Sequence, residues 1–146
     1  MIHDVVLTPL KIIGDERGAV LHMLKHTDPM FKGFGEVYFS TIRFGQRKEW
    51  RRNQVATAQI AVPIGSIRLV LGDQRSDSPT CDALWEIDLG QQNYQLLTIP
   101  PMVWYALQNI GQVDALVANC SSTAHNPDAV ERRDFANPPL PYIWRN

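Results

Sequence analysis

Charged side chains concentrate in one short segment, Lys48 to Gln54, which contains Trp50 between acidic and basic neighbours. In an extended strand, alternation places Trp50 and Arg52 on the face opposite Arg51 and Asn53. A guanidinium beside an indole ring can bind a phosphate and stack on a base or a sugar. The segment therefore predicts an anion-binding opening, although a solvated basic edge that discourages strand-to-strand aggregation explains the same charges.

Two polar turns are further candidates for ligand binding. The glycine-bounded turn from Asp15 to Gly18 presents the Arg17 guanidinium, which can pair with a phosphate in bidentate fashion. The turn from Asp73 to Thr80 presents Arg75 between two apolar strands. The first turn also has a structural explanation, since Asp15 can pair locally with Arg17 at the surface.

Tyr105 is a candidate proton donor. In the run that follows Pro100 and Pro101, alternation places Tyr105 on the face opposite Trp104. A tyrosine hydroxyl can act as an acid in a cavity, and a core or interface position is the alternative.

The elements that position these residues have the pattern of an all-β protein. Short apolar or alternating runs recur between turns rich in glycine and proline, which indicates a sandwich or a barrel. The predicted strands are Val5–Leu10, Val20–Leu24, Val37–Ile42, Thr57–Val62, Ile67–Leu71, Leu84–Leu89, Tyr94–Ile99, Val103–Ile110 and Ala115–Asn119.

One short helix is expected near the C-terminus, from Asn126 to Arg133. Asn126 can cap it, Pro127 suits the first helical position, and acidic residues lie near its N-terminal end. The proline-rich segment from Asn137 to Pro141 should lie extended over the barrel.

Bulk composition narrows the function classes. The length of 146 residues and an apolar content of 45% are enough for one domain spanning residues 1–146. A net charge of −1 favours neither nucleic acid nor an anionic membrane, and no apolar run approaches the length needed to span a bilayer. We therefore expect a cytoplasmic protein whose two cysteines, Cys81 and Cys120, are reduced thiols.

The order of these motifs resembles the dTDP-4-dehydrorhamnose 3,5-epimerase family, in particular its short-chain branch. The resemblance extends from about Thr8 to Trp144. It rests on the Asp15/Arg17/Gly18 turn, Glu36–Ser40, Lys48–Trp50, Gly65–Leu71, Asp73/Arg75 with Ser78–Thr80, Asn93, Ile99–Pro101 and Pro141–Trp144.

This resemblance implies a jelly-roll cupin barrel that forms a homodimer. It also implies a cavity that holds a nucleotide-diphospho-4-keto-6-deoxy sugar without a metal or another cofactor. The family removes a proton next to the C4 ketone and returns one from the other face, which requires a base, an acid and a group that stabilises the enolate oxygen.

The sequence departs from the family at the base itself. Arg51 stands where the family has its histidine base, and Asn53 stands where a second histidine often follows. Tyr105 aligns with a later histidine of the family. An arginine stays protonated at working pH and cannot accept a proton.

Other family positions are kept. Arg17 is implied as a phosphate ligand, Lys48 as an enolate or phosphate contact, and Asp134 as the carboxylate partner of a catalytic histidine. His125 lies near the place of the family's tyrosine acid. A rebuilt site would use His125 as base or acid, oriented by Asp134, with Arg51 stabilising the oxyanion.

Three functions remain open from the sequence. The first is an epimerase or ketoisomerase acting on a nucleotide-linked 4-keto sugar with a non-standard base. The second is a catalytically inactive nucleotide-sugar-binding cupin that serves as a sensor or a partner protein. The third is a structural dimer whose cavity is filled by side chains such as Met102, Tyr105 and Arg51. A metal site is not expected, because His22 and His26 have no third ligand near them in sequence.

Overall fold

The computed structural model describes residues 1–145 and consists largely of β-strands. In the described part of the chain the strands are β1 Val6–Pro9, β2 Ile12–Asp15, β3 Gly18–Leu21, β4 Glu36–Ile42, β5 Arg47–Asn53, β6 Ala58–Ile64, β7 Ser66–Asp73, β8 Leu84–Gly90, β9 Gln95–Ile99, β10 Val103–Asn109, β11 Ala115–Ser121 and β12 Val130–Arg133. No helix within residues 1–145 has the length and apolar character needed to cross a lipid bilayer.

The strands form two five-stranded antiparallel sheets and a separate hairpin. The first sheet has the order β1-β9-β6-β11-β4, the second has the order β12-β5-β10-β7-β8, and β2 pairs only with β3 within the described residues. The predicted all-β, jelly-roll cupin architecture is confirmed.

The main core lies between the two sheets and follows the period of two along the strands. Ile67, Leu69 and Leu71 of β7 are fully buried there, and Val103 and Tyr105 of β10 face the same core. This alternation is the physical reason that polar side chains near the open end of β4, β5 and β10 meet in the same interior space.

The outer face of the second sheet is covered by the C-terminal tail. Trp50 and Trp104 form a separate buried cluster with small neighbours, and Tyr142 and Trp144 of the tail pack on it. The Trp144 ring centroid lies 6.1 Å from that of Trp50. The segment from Asn137 to Pro141 lies on the barrel as predicted, with Leu140 buried, but bends at Asn137, Pro139 and Leu140 show that it is not extended throughout.

The predicted helix from Asn126 to Arg133 is wrong over its second half. Asn126 does cap a single 3-10 turn, Pro127–Ala129, but Val130–Arg133 forms β12 and pairs with β5. Glu131 accepts two hydrogen bonds from Arg52 across the strands, at 2.8 and 3.0 Å. Cross-strand pairing and this ion pair therefore outweigh the weak helix preference of four residues.

Candidate functional site

A cavity of about 380 Å³ opens between the two sheets at the end formed by β4, β5, β10, β11 and β12. We call it the main cavity. Its lining residues are Tyr38, Ser40, Arg47, Lys48, Glu49, Arg51, Ile60, Tyr105, Leu107, Val117, Asn119, Arg132 and Phe135. Because this space is open, the prediction of a cavity filled by side chains is wrong.

A β-bulge in β5 sets which side chains reach the main cavity. Arg51 lies opposite Tyr105 of β10, and Lys48 lies opposite Leu107, so three steps along β5 match two steps along β10. In a regular strand, residues three apart face opposite sides. The extra residue places Lys48 and Arg51 on the same inner face, as bulges beside functional sites often do.

Arg51 holds a positive charge that the protein does not neutralise. Within residues 1–145 its guanidinium has no ion-pair partner, and its Nε is buried without a hydrogen-bond partner. Its Cζ atom lies 5.9 Å from the centre of the Tyr105 ring. An unpaired cation in a partly buried position favours an anionic or electron-rich ligand oxygen beside it.

The surrounding charges make the main cavity positive. Arg47, Lys48, Arg51 and Arg132 line it, whereas among residues 1–145 Glu49 is the one carboxylate in its wall. Arg132 Nη1 lies 3.6 Å from Glu49 Oε1, and both side chains are about half exposed. The balance of charge suits a ligand with more than one negative charge.

Lys48 lies within this positive field. Its Nζ donates a hydrogen bond to Ser40 Oγ across the opening between β4 and β5. Burial lowers the pKa of the Lys48 ammonium, and the charge of Arg51 lowers it further. The pairing with Ser40 holds the ammonium at the cavity wall, where an anion would restore its pKa.

Two tyrosines, Tyr38 and Tyr105, line the same space. Tyr105 is 2% exposed, and burial raises its pKa to about 12 in spite of the nearby Arg51 charge and a hydrogen bond with Asn53. Tyr38 Oη accepts a hydrogen bond from Asn119 Nδ2 at 2.7 Å. Tyr105 therefore stays protonated at neutral pH and can donate to a ligand.

Trp50 does not lie in the cavity. Its side chain has zero exposure and packs on the outer face of the second sheet. The predicted stacking of Trp50 on a base or sugar is therefore wrong. The predicted parity of the strand is correct, since Arg51 and Trp50 face opposite sides, but it is the Arg51 side that faces the ligand space.

Arg75 is also placed outside the main cavity. In the turn from Asp73 to Thr80, which we call the Asp73 turn, Arg75 Nε and Nη2 each donate to Asp73 at 2.9 Å. Arg75 Nη2 also donates to the backbone oxygen of His3. The predicted substrate contact of Arg75 is corrected: its guanidinium is engaged by the protein.

Asp73 is the centre of that turn and is fully buried. Ser78 Oγ and Thr80 Oγ1 donate to it at 2.6 and 2.7 Å. Burial acts to raise the pKa of Asp73, but the hydrogen bonds from Arg75, Ser78 and Thr80 outweigh burial and hold the pKa well below its usual range. The turn is therefore a hydrogen-bonded network centred on Asp73.

His125 and Asp134 are not brought together. His125 lines a small side cavity, which shares Tyr38 and Arg51 with the main cavity. Asp134 lines neither cavity, and its carboxylate accepts hydrogen bonds from the backbone and side chain of Asn137 at 2.8 and 3.1 Å. The predicted pairing of His125 with Asp134 is therefore absent from residues 1–145.

Arg17 lies at the tip of the β2–β3 hairpin, away from the main cavity. Its side chain is 84% exposed, and its Nη2 lies 2.6 Å from Asp15 Oδ2. Asn53, by contrast, lines the side cavity and reaches Tyr105. Of the predicted ligand-binding residues, the structure groups Lys48, Arg51 and Asn53 with Tyr105.

Sequence reasoning missed several cavity residues. Tyr38 and Ser40 alternate along β4 with the exposed Val37 and Phe39, so strand periodicity contained a signal for them. Glu49 also had a signal, because it is two residues before Arg51 and alternation places the two on the same face. The remaining missed polar residues are Arg47, Asn119 and Arg132.

Neither Cys81 nor Cys120 is among the residues that line the main cavity. Cys81 and Cys120 are free, as predicted. Within the described residues, no group of three or more His, Cys, Asp or Glu side chains is arranged to hold a metal ion.

The fold is that of a cupin-type barrel with a positively charged cavity between its two sheets. Comparison with known proteins shows which family has this fold. A crystal structure of a dTDP sugar isomerase from Desulfovibrio desulfuricans is 42% identical, with a TM-score of 0.95, over 98% of this chain and 92% of that one. The dTDP-4-dehydrorhamnose 3,5-epimerase from Elizabethkingia anophelis is 14% identical with a TM-score of 0.82, over 99% and 83% of the two chains, which shows the shared fold.

A curated relative agrees with these structures. The probable low-salt glycan biosynthesis epimerase of Haloferax volcanii is 28% identical over 120 residues, which are 81% of this chain and 77% of that protein. No family model matches the sequence. The chain belongs to the dTDP-sugar isomerase and dTDP-4-dehydrorhamnose 3,5-epimerase family, as the sequence resemblance predicted.

Proposed function

We propose that this protein binds a nucleotide-diphospho-sugar with a ketone at C4 and epimerises or isomerises it by metal-free proton transfer next to that ketone. The observation that carries the proposal is the unpaired Arg51 guanidinium in the wall of the 380 Å³ main cavity. That volume suits a small-molecule ligand, and the excess of cations suits a diphosphate.

Each cavity residue has a role in this proposal. Arg51 stabilises the enolate oxygen that forms when a carbon next to the ketone loses its proton. Lys48, held by Ser40, contacts the diphosphate or the ketone oxygen. Tyr105 is the proton donor, because its raised pKa keeps the hydroxyl protonated, and Asn53 orients that hydroxyl.

The relatives support the choice of substrate class. The Desulfovibrio protein is described as a dTDP sugar isomerase, and a more distant neighbour from Legionella pneumophila was crystallised with dTDP-4-keto-L-rhamnose. A thymidine diphosphate sugar is therefore the first ligand to test. The two free cysteines, Cys81 and Cys120, suit a reducing compartment such as the cytoplasm.

A homodimer gives Arg17 a place in this proposal. The β2–β3 hairpin exposes Ile13 and Val20, and the outer face of the edge strand β4 exposes Val37 and Phe39. A two-fold partner that covers these apolar faces would carry Arg17 to the neighbouring copy, where it would contact the phosphate. Analytical ultracentrifugation at micromolar concentration tests this, and a monomer would contradict it.

The reaction is tested by deuterium wash-in. The protein is incubated with dTDP-4-keto-6-deoxyglucose in heavy water, and exchange at C3 and C5 is measured by mass spectrometry. Exchange above the rate without protein is expected. Absence of exchange with the nucleotide sugar bound in the same sample would contradict catalysis and leave the second function, a nucleotide-sugar-binding cupin.

A further inference from the structure

The proposed reaction requires a base, a group that accepts a proton from the substrate carbon. Arg51, at the inner face of the strand, cannot serve, because a guanidinium stays protonated. His125 lies in the side cavity, and Asp134 is bonded to Asn137. The acceptor must therefore be found among the remaining residues of the main cavity wall.

We propose that the Glu49 carboxylate is the general base that removes the proton next to the ketone. This inference rests on the proposed function and names its catalytic base. Glu49 is the one carboxylate lining the main cavity among residues 1–145, and it stands two residues before Arg51 on the bulged strand.

The surroundings of Glu49 leave its carboxylate free to move to a bound substrate. Arg132 Nη1 lies 3.6 Å from Glu49 Oε1, a separation longer than a hydrogen bond. The neighbouring carboxylate of Glu131, in contrast, accepts hydrogen bonds from Arg52 and Gln54. A loosely held and half-exposed side chain can move to the substrate carbon, whereas a carboxylate fixed by two donors cannot.

The other cavity groups are less suited to this role. The Lys48 ammonium donates to Ser40, and a bound diphosphate would favour its charged form. Tyr105, with its pKa raised to about 12, is a proton donor and not an acceptor at neutral pH. A carboxylate beside an arginine that stabilises the enolate is a chemically complete pair for removing such a proton.

The step balances as follows. A Glu49 carboxylate oxygen takes the proton from the carbon next to C4, the C–H bonding pair becomes the C=C bond of the enolate, and the ketone π pair moves to its oxygen beside Arg51. Tyr105 then donates a proton to the carbon from the other face and the ketone reforms. Solvent removes the proton from Glu49 and returns one to the Tyr105 oxygen.

The test compares Glu49→Gln with a matched control, Glu86→Gln, in full-length protein. Glu86 also has an arginine at 3.6 Å, but it lies on β8 away from the main cavity. Glu49→Gln should lower the rate of deuterium wash-in into dTDP-4-keto-6-deoxyglucose by about 10²-fold to 10⁴-fold. Its affinity for dTDP should stay within about threefold of wild type, and Glu86→Gln should exchange at the wild-type rate.

A second variant separates chemistry from structure. Glu49→Ala should be equally slow, and added formate should restore part of its exchange rate, since a small carboxylate can enter the space and accept the proton. A purely structural role would show no rescue.

These experiments distinguish failure of the Glu49 assignment from failure of the proposed function. Wild-type exchange that persists in Glu49→Gln, or that is lost in His125→Ala but not in Glu49→Gln, overturns Glu49 as the base and leaves the proposed function intact. Bound nucleotide sugar without exchange by the wild-type protein overturns both. Loss of dTDP binding in Glu49→Gln would show a binding role and overturn the assignment.

Discussion

Two arginines of this barrel, Arg51 in the main cavity and Arg75 in the Asp73 turn, carry the same charge in different surroundings. Arg75 is bonded twice to a fully buried carboxylate and once to a backbone oxygen. Arg51 has a buried Nε without a partner and no ion pair among residues 1–145. Both were candidate ligand contacts in the sequence, and the structure separates them by what each charge is paired with.

This difference shows how the protein divides stability from function. A charge satisfied internally stabilises the fold and cannot be exchanged for a ligand without loss. A charge left unpaired destabilises the empty protein and is available to a ligand. The following predictions test that division.

The largest effect is expected for Asp73→Asn, which leaves Arg75 without its anionic partner. The free energy of unfolding should fall by about 3 kcal/mol, as for other broken buried ion pairs. Urea unfolding at pH 7 measures it. Asp88→Asn, which removes a half-exposed partner of Arg68, is the control and should cost less than about 1 kcal/mol. Equal losses in the two variants would contradict the role of the Asp73 turn.

For Arg51→Gln we expect a smaller effect of the opposite kind: ligand affinity should fall, whereas stability should not. Its affinity for dTDP-4-keto-6-deoxyglucose should fall about 30-fold, because a charge-assisted hydrogen bond to the ketone oxygen contributes about 2 kcal/mol. Its stability should be unchanged or higher. Arg75→Gln should bind the same sugar as wild type does and unfold more easily. Isothermal titration measures the affinity of both variants and urea unfolding measures their stability. Equal changes in the two variants would contradict the distinction between a ligand-binding Arg51 and a structural Arg75.

The pH dependence of stability sharpens the comparison further. Because the folded pKa of Asp73 lies below its ordinary value of 3.8, its ionised form stabilises the protein fully above that pH. This contribution is lost as the pH falls below 3.8 toward the folded pKa. The stability gap between wild type and Asp73→Asn should therefore be constant from pH 7 to 5 and shrink below about pH 4. A gap that widens on acidification would contradict the assignment.

The smallest effect on ligand binding is expected for Trp50→Phe. Trp50 is buried on the outer face with its Nε1 unpartnered, so phenylalanine removes apolar contacts but no hydrogen bond. Stability should fall by about 1 kcal/mol, and dTDP affinity should stay within twofold by titration. A tenfold loss of affinity would restore Trp50 as a ligand contact.

Strand periodicity explains how much of this structure the sequence could predict. Alternation correctly separated Trp50 from Arg51 and Trp104 from Tyr105, because side chains of a strand face opposite sides. It could not predict that Lys48 joins Arg51 on the inner face, since a bulge depends on pairing with another strand.

Contacts between residues distant in sequence also explain the remaining differences between the sequence predictions and the structure. An arginine two residues after an aspartate has the same sequence signature whether the pair is exposed, as at Arg17, or buried, as at Arg75. Val130–Arg133 had weak helical preference and became an edge strand once Arg52 offered Glu131 a partner. Local sequence does not contain these long-range partners.

The central claim is that the main cavity catalyses proton exchange on a 4-keto sugar with Arg51 at the enolate oxygen. Deuterium wash-in into dTDP-4-keto-6-deoxyglucose by wild type, Arg51→Gln and Arg75→Gln, compared per mole of folded protein, tests it most directly. We predict equal rates for wild type and Arg75→Gln, and a rate at least 10²-fold lower for Arg51→Gln. Exchange by Arg51→Gln at the wild-type rate, with substrate saturating both proteins, would contradict the claim.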